Sequence, residues 1–241
     1  MPRDRLYKET RGPIAPVPVD AAVGKVFDDM LRRSIPLYEE TIRRQAQLIE
    51  RYYQDGTRIY DLGCSNGNLG METSRAMGGR PFDMVAVDSS APMMAAYRER
   101  LTEAQQSGRI DLQCGDIRET DIERASVVAL NFTLQFVPPQ HRDAMIARIY
   151  DGLVPKGLFL FCEKLDHTDA AVATLQQSMY YGFKKENGYS DLEISQKREA
   201  LEAILVPETL EIHLERIKWA GFRTVDVWLK WFNFAAVIAF K

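Results

Sequence analysis

The chain has 241 residues, of which 46% are hydrophobic and 27% are charged, and its formal net charge is -3 at pH 7. This length suffices for one large core, and the balanced charge argues against a protein that grips RNA through a basic face. No apolar run approaches the ~20 residues of a membrane span, and the polar, proline-rich start lacks the apolar stretch of a signal peptide. We therefore expect a single domain over residues 1–241, located in the cytoplasm, without membrane contact or direct nucleic-acid binding.

The first 53 residues are expected to form an N-terminal arm followed by helices. Residues 1–20 predict an irregular arm. From Ala21 to Tyr53 apolar residues recur at helical spacing, and Pro36 interrupts the pattern. This segment is too short and too simply patterned to predict a domain of its own.

Residues 54–165 alternate between strands and helices and are expected to form a Rossmann-like core. The predicted strands are 57–62, 83–87, 110–113, 126–132 and 158–162, and the predicted helices are 69–77, 91–101 and 140–153. Nearly continuous apolar strands that alternate with helices are typical of a parallel sheet covered by helices on both faces.

The remainder of the chain has a different pattern, with a helical insertion over 166–208 and a closing helix and β-hairpin over 209–241. Its predicted elements are a helix over 169–205, a helix over 209–220 with Gly221 as C-cap, and strands over 223–231 and 233–240. Two strands joined by so short a turn are expected to pair antiparallel.

The loop after the first strand, residues 61–67, reads DLGCSNG. Gly63 and Gly67 permit a tight turn and a close approach of the backbone to a ligand. The pattern resembles the D-x-G-x-G-x-G motif of class I S-adenosyl-L-methionine (SAM) methyltransferases, with Ser65 in place of the middle glycine. It does not fit the G-x-G-x-x-G motif of dinucleotide-binding folds. An ordinary β-to-α turn is the alternative.

Polar residues also close the next three strands. Asp88, about 25 residues after the loop, can accept both ribose hydroxyls of SAM or else cap the following helix. Asp116 and Ile117 suit the adenine amino group and ring, although an ordinary turn can also place an aspartate there. Asn131 suits the amino-acid or sulfonium part of SAM. Because the carboxyl ends of parallel strands meet at one edge of a sheet, these features together predict a SAM site.

The elements and this site predict the fold class. It is α/β, a Rossmann-like class I SAM methyltransferase fold, with a mostly parallel seven-stranded sheet, a C-terminal antiparallel hairpin and an N-terminal helical segment. The three cysteines, Cys64, Cys114 and Cys162, are widely spaced without a CxxC pair. They are therefore expected to be small buried thiols, and no metal site is expected.

Several stretches spread over nearly the whole chain match one family. They are RSIPLY at 33–38, YDLGCS at 60–65, GDIR at 115–118, LNFTLQF at 130–136, NGYS at 187–190, LEISQKR at 192–198 and WFNF at 231–234. On these stretches the sequence resembles the carboxy-S-adenosyl-L-methionine synthase family, in which a serine at the position of Ser65 is expected. The matches at 130–136 and 192–198 are specific to this family rather than general to SAM-binding folds.

The resemblance implies a reaction other than methyl transfer. Prephenate loses its ring carboxyl and hydroxyl to give phenylpyruvate, and the methyl carbon of SAM, here a substrate, is carboxylated. It also implies a homodimer whose product passes to a tRNA carboxymethyltransferase, which forms 5-oxyacetyl-uridine at the wobble position. The SAM site that the resemblance implies consists of Tyr38, Gly63, Cys64, Ser65, Asp88, Ser89, Asp116, Ile117, Asn131 and Arg198. Asparagine is usual in the family at the position of Ser89.

Arg198 is the residue to which the resemblance assigns catalysis. The reaction places a new carboxylate beside a sulfonium, prephenate is a dianion, and guanidinium binds carboxylates in a bidentate manner. In the family, an arginine of one subunit is thought to reach the site of the other. From the residues alone, a solvated helix residue paired with Glu193 or Glu202 is the more ordinary interpretation.

Other interpretations stay open. The runner-up function is a SAM-dependent methyltransferase acting on a small molecule or tRNA, and a further alternative is a non-catalytic SAM-binding subunit of a tRNA-modifying assembly. His141, His167 and His213 are expected at the surface, and the tryptophans in the core or an interface. Lys184 and Lys185 are expected on a solvated face, with a minor possibility of binding prephenate.

Overall fold

The computed structural model describes residues 21–104, 109–202 and 204–241, so the predicted arm over 1–20 lies outside the described residues. The helices of these ranges are α1 (Ala21–Ser34), α2 (Tyr38–Tyr52), α3 (Asn68–Met77), α4 (Ala91–Ala104), α5 (Pro139–Gly152), α6 (Ala170–Glu186), α7 (Asp191–Glu202) and α8 (Leu210–Trp219). The strands are β1 (Arg58–Leu62), β2 (Asp83–Asp88), β3 (Arg109–Cys114), β4 (Ala125–Asn131), β5 (Leu153–Asp166), β6 (Glu208–Thr209), β7 (Thr224–Trp231) and β8 (Phe234–Phe240).

The main sheet has the order β3-β2-β1-β4-β5-β8-β7. The first five of these strands pair in parallel, whereas β8 pairs antiparallel with both β5 and β7. The two-residue β6 lies off this path and pairs with the end of β5. The predicted seven-stranded, mostly parallel sheet with a closing hairpin is thus confirmed. Because β1 lies between β2 and β4, the strand order reverses there, which is where such sheets bind ligands.

Successive side chains of the central strands point to opposite faces of the sheet and so form two cores. Val128 and Leu130 of β4 face the core beneath α5 and α8, and Val127 and Ala129 face the core beneath α2 and α3. All of these side chains are fully buried. Helices on both faces explain why the central strands read as unbroken apolar runs in the sequence.

The predicted helix over 169–205 is wrong in one respect, because it is two helices. Gly188 has a φ of 81°, which ends the helical path after α6. Ser190 then begins α7, since its Oγ accepts a hydrogen bond from the Glu193 backbone N–H at 3.2 Å and the Glu193 carboxylate accepts one from the Ser190 N–H at 2.8 Å. This reciprocal arrangement is a capping box. Strand β5 is also longer than predicted, running to Asp166.

Cys114 and His213 differ from their predicted environments. Cys114 is exposed, because β3 is the edge strand of the sheet, whereas the other two cysteines are buried. His213 is buried rather than at the surface, with its ring centroid 5.0 Å from that of Phe161. Burial lowers the pKa of His213 to about 4, so the ring is neutral near pH 7. Trp219 is 85% exposed in the single chain, so of its two predicted places, the core and an interface, only the interface stays a prediction.

The helices offer no membrane-crossing candidate over the ranges that the structure describes, since each is too short or too polar for that role.

Candidate functional site

A cavity of about 580 Å³ lies at the edge of the sheet where β1, β2, β3 and β4 end, covered by residues of α1 and α2. Its volume is in the range of small-molecule sites. The structure brings together in its wall nine of the ten predicted site residues: Tyr38, Gly63, Cys64, Ser65, Asp88, Ser89, Asp116, Ile117 and Asn131. The sequence pattern thus located the cavity, because parallel strands present their carboxyl ends on one side.

The loop after β1 is held in a conformation that needs small residues. Gly63 has a φ of 79°, and a Cβ added there would lie 2.2 Å from the Thr133 hydroxyl oxygen. Ser65 has a φ of 51°, in the left-handed region where a non-glycine residue costs roughly 1–2 kcal/mol. Ser65 therefore keeps the backbone conformation that suits the middle glycine of the methyltransferase motif, and its hydroxyl is the difference.

Asp88 fastens this loop to the start of α4. Its carboxylate accepts hydrogen bonds from the backbone N–H of Ser65 at 2.9 Å and of Ser90 at 2.8 Å. The Ser90 hydroxyl in turn accepts from the Met93 N–H at 3.4 Å and caps α4. A carboxylate has about four lone-pair positions, so Asp88 can hold the loop and still accept bonds from a ligand diol. Ser89 lies beside it, exposed at the rim.

Asp116 follows β3 and is held by Arg118. Its carboxylate accepts hydrogen bonds from the Arg118 backbone N–H at 2.8 Å and from the guanidinium Nε at 2.9 Å. The guanidinium holds the pKa of Asp116 below its usual range, so the carboxylate is ionised near neutral pH. Ile117 is buried and supplies the apolar wall next to it. Asp116 is thus a turn residue as well as a cavity residue.

Asn131, at the end of β4, is oriented by a residue that the sequence analysis missed. The amides of Asn131 and Gln45 form a reciprocal pair of hydrogen bonds at 2.7 and 2.9 Å. Gln45 is fully buried and also donates to the Cys162 sulfur at 3.1 Å. The sequence does contain a signal for this role, because Gln45 occupies a core position of α2 between Ile42 and Ile49. A polar group that is buried among apolar residues needs a hydrogen-bond partner.

The N-terminal helices α1 and α2 contact the same loop and the start of α3 through a second network of hydrogen bonds. Asp28 accepts hydrogen bonds from the side-chain amides of Asn66 and Asn68, both at 2.9 Å. Asn68 also donates to the Tyr38 hydroxyl at 3.1 Å, and Arg100 donates to the Asn66 carbonyl at 2.7 Å. Burial raises the pKa of Tyr38 above its usual range, so its phenol stays neutral. Asp28 and Asn68 are further residues that the sequence analysis did not identify.

Asp61 is a buried carboxylate at the end of β1 that lines the cavity and is 3% exposed. One of its oxygens, Oδ2, has no hydrogen-bond partner among the described residues. Burial, and then the nearby Asp88 charge, raise the pKa of Asp61 to about 7. A cationic ligand group would compensate such a carboxylate. Burial also raises the pKa of the Cys64 thiol above its usual range, so this predicted site residue is not a thiolate nucleophile.

We call the wall formed by Asp61, Ser65, Asp88, Asp116 and Asn131 the strand-end half of the cavity. A second part of the wall, the α6 half, consists of Lys164, Tyr180, Lys184 and Phe234. Phe132, the residue after Asn131, also lines the cavity, and its ring centroid lies 6.4 Å from that of Tyr38 and 6.3 Å from that of Phe234.

The α6 half carries two positive charges around one aromatic ring. The ammonium nitrogens of Lys184 and Lys164 lie 4.4 and 5.3 Å from the centroid of the Tyr180 ring. Lys184 is only 5% exposed, so its predicted place on a solvated face is wrong. Lys185 does have an exposed side chain, and it pairs with Asp191 at 2.6 Å.

Arg198 is not among the described residues that line the cavity. It lies on α7, beyond the turn at Asn187–Ser190, and its side chain is exposed. A single chain therefore does not bring Arg198 to the other nine predicted residues. Over the described ranges, no cluster of three or more His, Cys, Asp or Glu side chains is placed to hold a metal ion.

Comparison with solved structures shows the fold. An O-methyltransferase family 2 protein from Planctomyces limnophilus in complex with apigenin aligns with a TM-score of 0.60 and 16% identity, covering 92% of this chain and 64% of that one. Human N-acetylserotonin methyltransferase in complex with SAM aligns with a TM-score of 0.55 and 19% identity, covering 93% of this chain and 60% of that one. This chain thus spans about three fifths of the length of these structures.

Comparison of sequences is more specific. A model of a methyltransferase domain matches residues 59–157. The carboxy-S-adenosyl-L-methionine synthase of Desulforapulum autotrophicum is 49% identical over 241 residues, which are 100% of this chain and 98% of the relative. The enzyme of the same name from Shewanella oneidensis is 42% identical over 239 residues, 99% of this chain and 98% of the relative. Over its full length, the chain belongs to the carboxy-S-adenosyl-L-methionine synthase family.

Proposed function

We propose that this protein converts SAM and prephenate to carboxy-SAM and phenylpyruvate. The observation that carries the proposal is the meeting of nine residues of the expected SAM site in one cavity, in a chain that belongs to this family over its full length. We further propose that it acts in the cytoplasm as a homodimer. Its product would supply a separate enzyme that forms 5-oxyacetyl-uridine at the wobble position of tRNA.

The order of the strands in the sheet suggests where each part of SAM binds. Asp116 and Ile117 after β3 are suited to the adenine, and Asp88 at the end of β2 to the ribose diol. The loop after β1 and Asn131 at the end of β4 are suited to the amino-acid part, with the ionised Asp61 carboxylate compensating its ammonium group. This order directs the sulfonium methyl group towards Phe132 and the α6 half.

The chemistry requires no protein base. Prephenate loses its ring carboxyl as CO2 and its ring hydroxyl as hydroxide, which leaves phenylpyruvate. The hydroxide takes one proton from the methyl group, which the sulfonium acidifies, and becomes water. The resulting carbanion attacks CO2 and forms the new carbon–carbon bond. The cavity must exclude water while CO2 is free. Tyr38 and Cys64 are neutral, which agrees with a mechanism that uses neither as the base.

Arg198 enters this proposal through the homodimer. Because the single chain leaves Arg198 outside the cavity, we propose that Arg198 of one copy reaches the cavity of the other and binds the new carboxylate. The guanidinium is suited to a planar carboxylate, and an ordinary methyltransferase has no such requirement, because a methyl group carries no charge.

The test uses prephenate labelled with ¹³C in the ring carboxyl. We expect SAM to gain the mass of one CO2, with the label in the new carboxyl group. Carboxylation without the label would reject the ylide mechanism. Methylation of an acceptor without any carboxylation would favour a methyltransferase, and co-purification with a partner enzyme without any conversion would favour a non-catalytic SAM-binding subunit.

A further inference from the structure

We propose that the α6 half is the subsite for the second substrate, with Lys164 and Lys184 binding the carboxylates of a ring-bearing dianion. This inference rests on the proposed function, in which that dianion is prephenate. It assigns the cationic contacts of the second substrate within a single chain, separately from Arg198.

Three elements converge to build the subsite. Tyr180 and Lys184 are one helical turn apart on α6, so their side chains share one face of the helix. Lys164, near the end of β5, is the register partner of Phe234 on the antiparallel strand β8. The Tyr180 and Phe234 rings meet edge to face, with centroids 5.2 Å apart. The subsite therefore brings together residues 164, 180, 184 and 234, which are distant along the chain.

The charge of the subsite selects an anion. Lys184 is almost fully buried, and the Tyr180 and Phe234 rings around it are buried as well. Lys164 is partly exposed, and both ammonium groups lie near the face of the Tyr180 ring, which attracts cations. Both lysines already make contacts within the chain, so a bound dianion would add charge-assisted hydrogen bonds to those contacts.

The shape of the subsite suits a six-membered ring. Phe132, Phe234 and Tyr180 form a series of ring contacts that leads from the end of β4 to the two lysines and gives the cavity an apolar wall. Prephenate carries one carboxylate on its ring and a second on its side chain, so its ring can pack on this wall while the lysines bind its charges. Decarboxylation beside the wall would release CO2 next to the SAM methyl group.

The opposite charges of the two halves also determine which substrate binds in which half. Asp61, Asp88 and Asp116 attract the cationic sulfonium and ammonium of SAM and repel a dianion. The two lysines do the reverse. Each substrate thus meets a favourable potential in one half only, which prevents exchange of their positions.

The test compares Lys164→Met and Lys184→Met with the matched control Lys185→Met, in the full-length protein. Methionine keeps the length and the apolar stem of lysine and removes the charge. We expect the KM for prephenate to rise about tenfold or more in each subsite variant, since hydrogen bonds to charged groups contribute roughly 1.5–3 kcal/mol. The Kd for SAM should stay within about twofold, which also shows that the variants fold, and Lys185→Met should change neither constant.

Direct binding separates this inference from the proposed function. Calorimetry measures prephenate binding to the protein loaded with S-adenosylhomocysteine, which has no transferable methyl group. A separate assay with SAM and prephenate measures carboxy-SAM. If the unaltered protein binds prephenate and both lysine variants lose this binding, but the assay with SAM gives no carboxy-SAM, the subsite stands and the proposed function fails. If the assay gives carboxy-SAM but prephenate binds the variants as tightly as the unaltered protein, the subsite assignment is overturned. Absence of prephenate binding to the unaltered protein overturns it as well.

Discussion

The strand-end half and the α6 half of the cavity differ in how the chain builds them. The strand-end half comes from the last residues of β1, β2 and β4 and from the loops that follow β1 and β3, so its residues lie between 61 and 131. The α6 half combines β5, α6 and β8, and its residues lie between 164 and 234. The first half depends on backbone conformation and carboxylates, and the second on long side chains around aromatic rings. A loop motif can therefore reveal the first half, whereas only the folded chain reveals the second.

Among substitutions that distinguish the roles of the two halves, Arg198→Ala is expected to have the largest effect, a loss of carboxylation. If the arginine serves the new carboxylate from the second copy, carboxylation should fall by at least about a thousandfold, a loss of roughly 4 kcal/mol of transition-state stabilisation. Part of the SAM affinity should remain, because the strand-end half is intact. Assays of carboxy-SAM formation and of SAM binding measure both quantities. Retained synthase activity would refute the role of Arg198.

The next largest effect is expected for Asp88→Ala, which acts on the strand-end half. The change removes the acceptor for the Ser65 and Ser90 N–H groups and for the ribose diol. We expect the Kd for SAM to rise by about a hundredfold, equivalent to ~2.7 kcal/mol. Asp83→Ala is the control, because Asp83 is exposed at the opposite end of β2. Equal SAM affinities for the two variants would show that Asp88 does not serve the ligand.

The pH dependence of SAM binding tests Asp61. Its pKa of about 7 in the unliganded protein exceeds the usual value of an aspartate. Between about pH 4 and 7 the folded state therefore holds a proton that the unfolded chain has already released, so the stability from this group falls as the pH rises across that window and is lost above about pH 7. SAM binds the carboxylate form, so binding releases a proton below pH 7 and the affinity rises with pH up to that value.

Calorimetry in buffers of different ionisation enthalpy measures the proton released on SAM binding. In Asp61→Asn we expect weaker affinity and no proton release near pH 7. An unchanged proton release in this variant would assign it to another group and remove Asp61 from contact with the ammonium of SAM.

The smallest effect is expected for Ser65→Gly. Glycine relieves the strain at a φ of 51° but loses more chain entropy on folding, and both terms are about 1 kcal/mol. The unfolding free energy should thus change by less than about 1 kcal/mol and the SAM affinity by less than about threefold. Ser65→Val should lower both, since a β-branched residue fits the left-handed region poorly. A large loss in Ser65→Gly would instead give the Ser65 hydroxyl a direct ligand contact.

The sequence was sufficient for the fold and for the placement of most residues of the strand-end half, because both follow local rules. Alternating elements predict a parallel sheet, and Gly63, Asp88, Asp116 and Asn131 each lie at or just after the end of a strand that the apolar pattern marks. The turns that divide one helix from the next were harder to predict. The turn at Gly188 was missed although Asn187 and Gly188 form a turn signal in the sequence, because the helical segments on either side were joined into one element.

Side chains whose meaning depends on tertiary contacts escaped the sequence analysis. Gln45 matters only because α2 places its amide against Asn131, and a glutamine on a helix is otherwise a common surface residue. Lys184 was expected in solvent, because a pair of adjacent lysines has no local signal of burial. Its contact with Tyr180 is one helical turn away, but the other residues that Tyr180 meets, Lys164 and Phe234, come from β5 and β8.

The division of the cavity between two stretches of chain has a consequence for how new reactions can arise on this fold. The general methyltransferase pattern matches residues 59–157, which contain the strand-end half, and stops before Lys164, α6 and β8. The part that holds SAM can thus stay constant while the later segment is rewritten by insertion or substitution. The second substrate can then change, and with it the reaction can change from transfer of the methyl group to its carboxylation. Such a change can be made outside the segment that begins with the loop at Asp61.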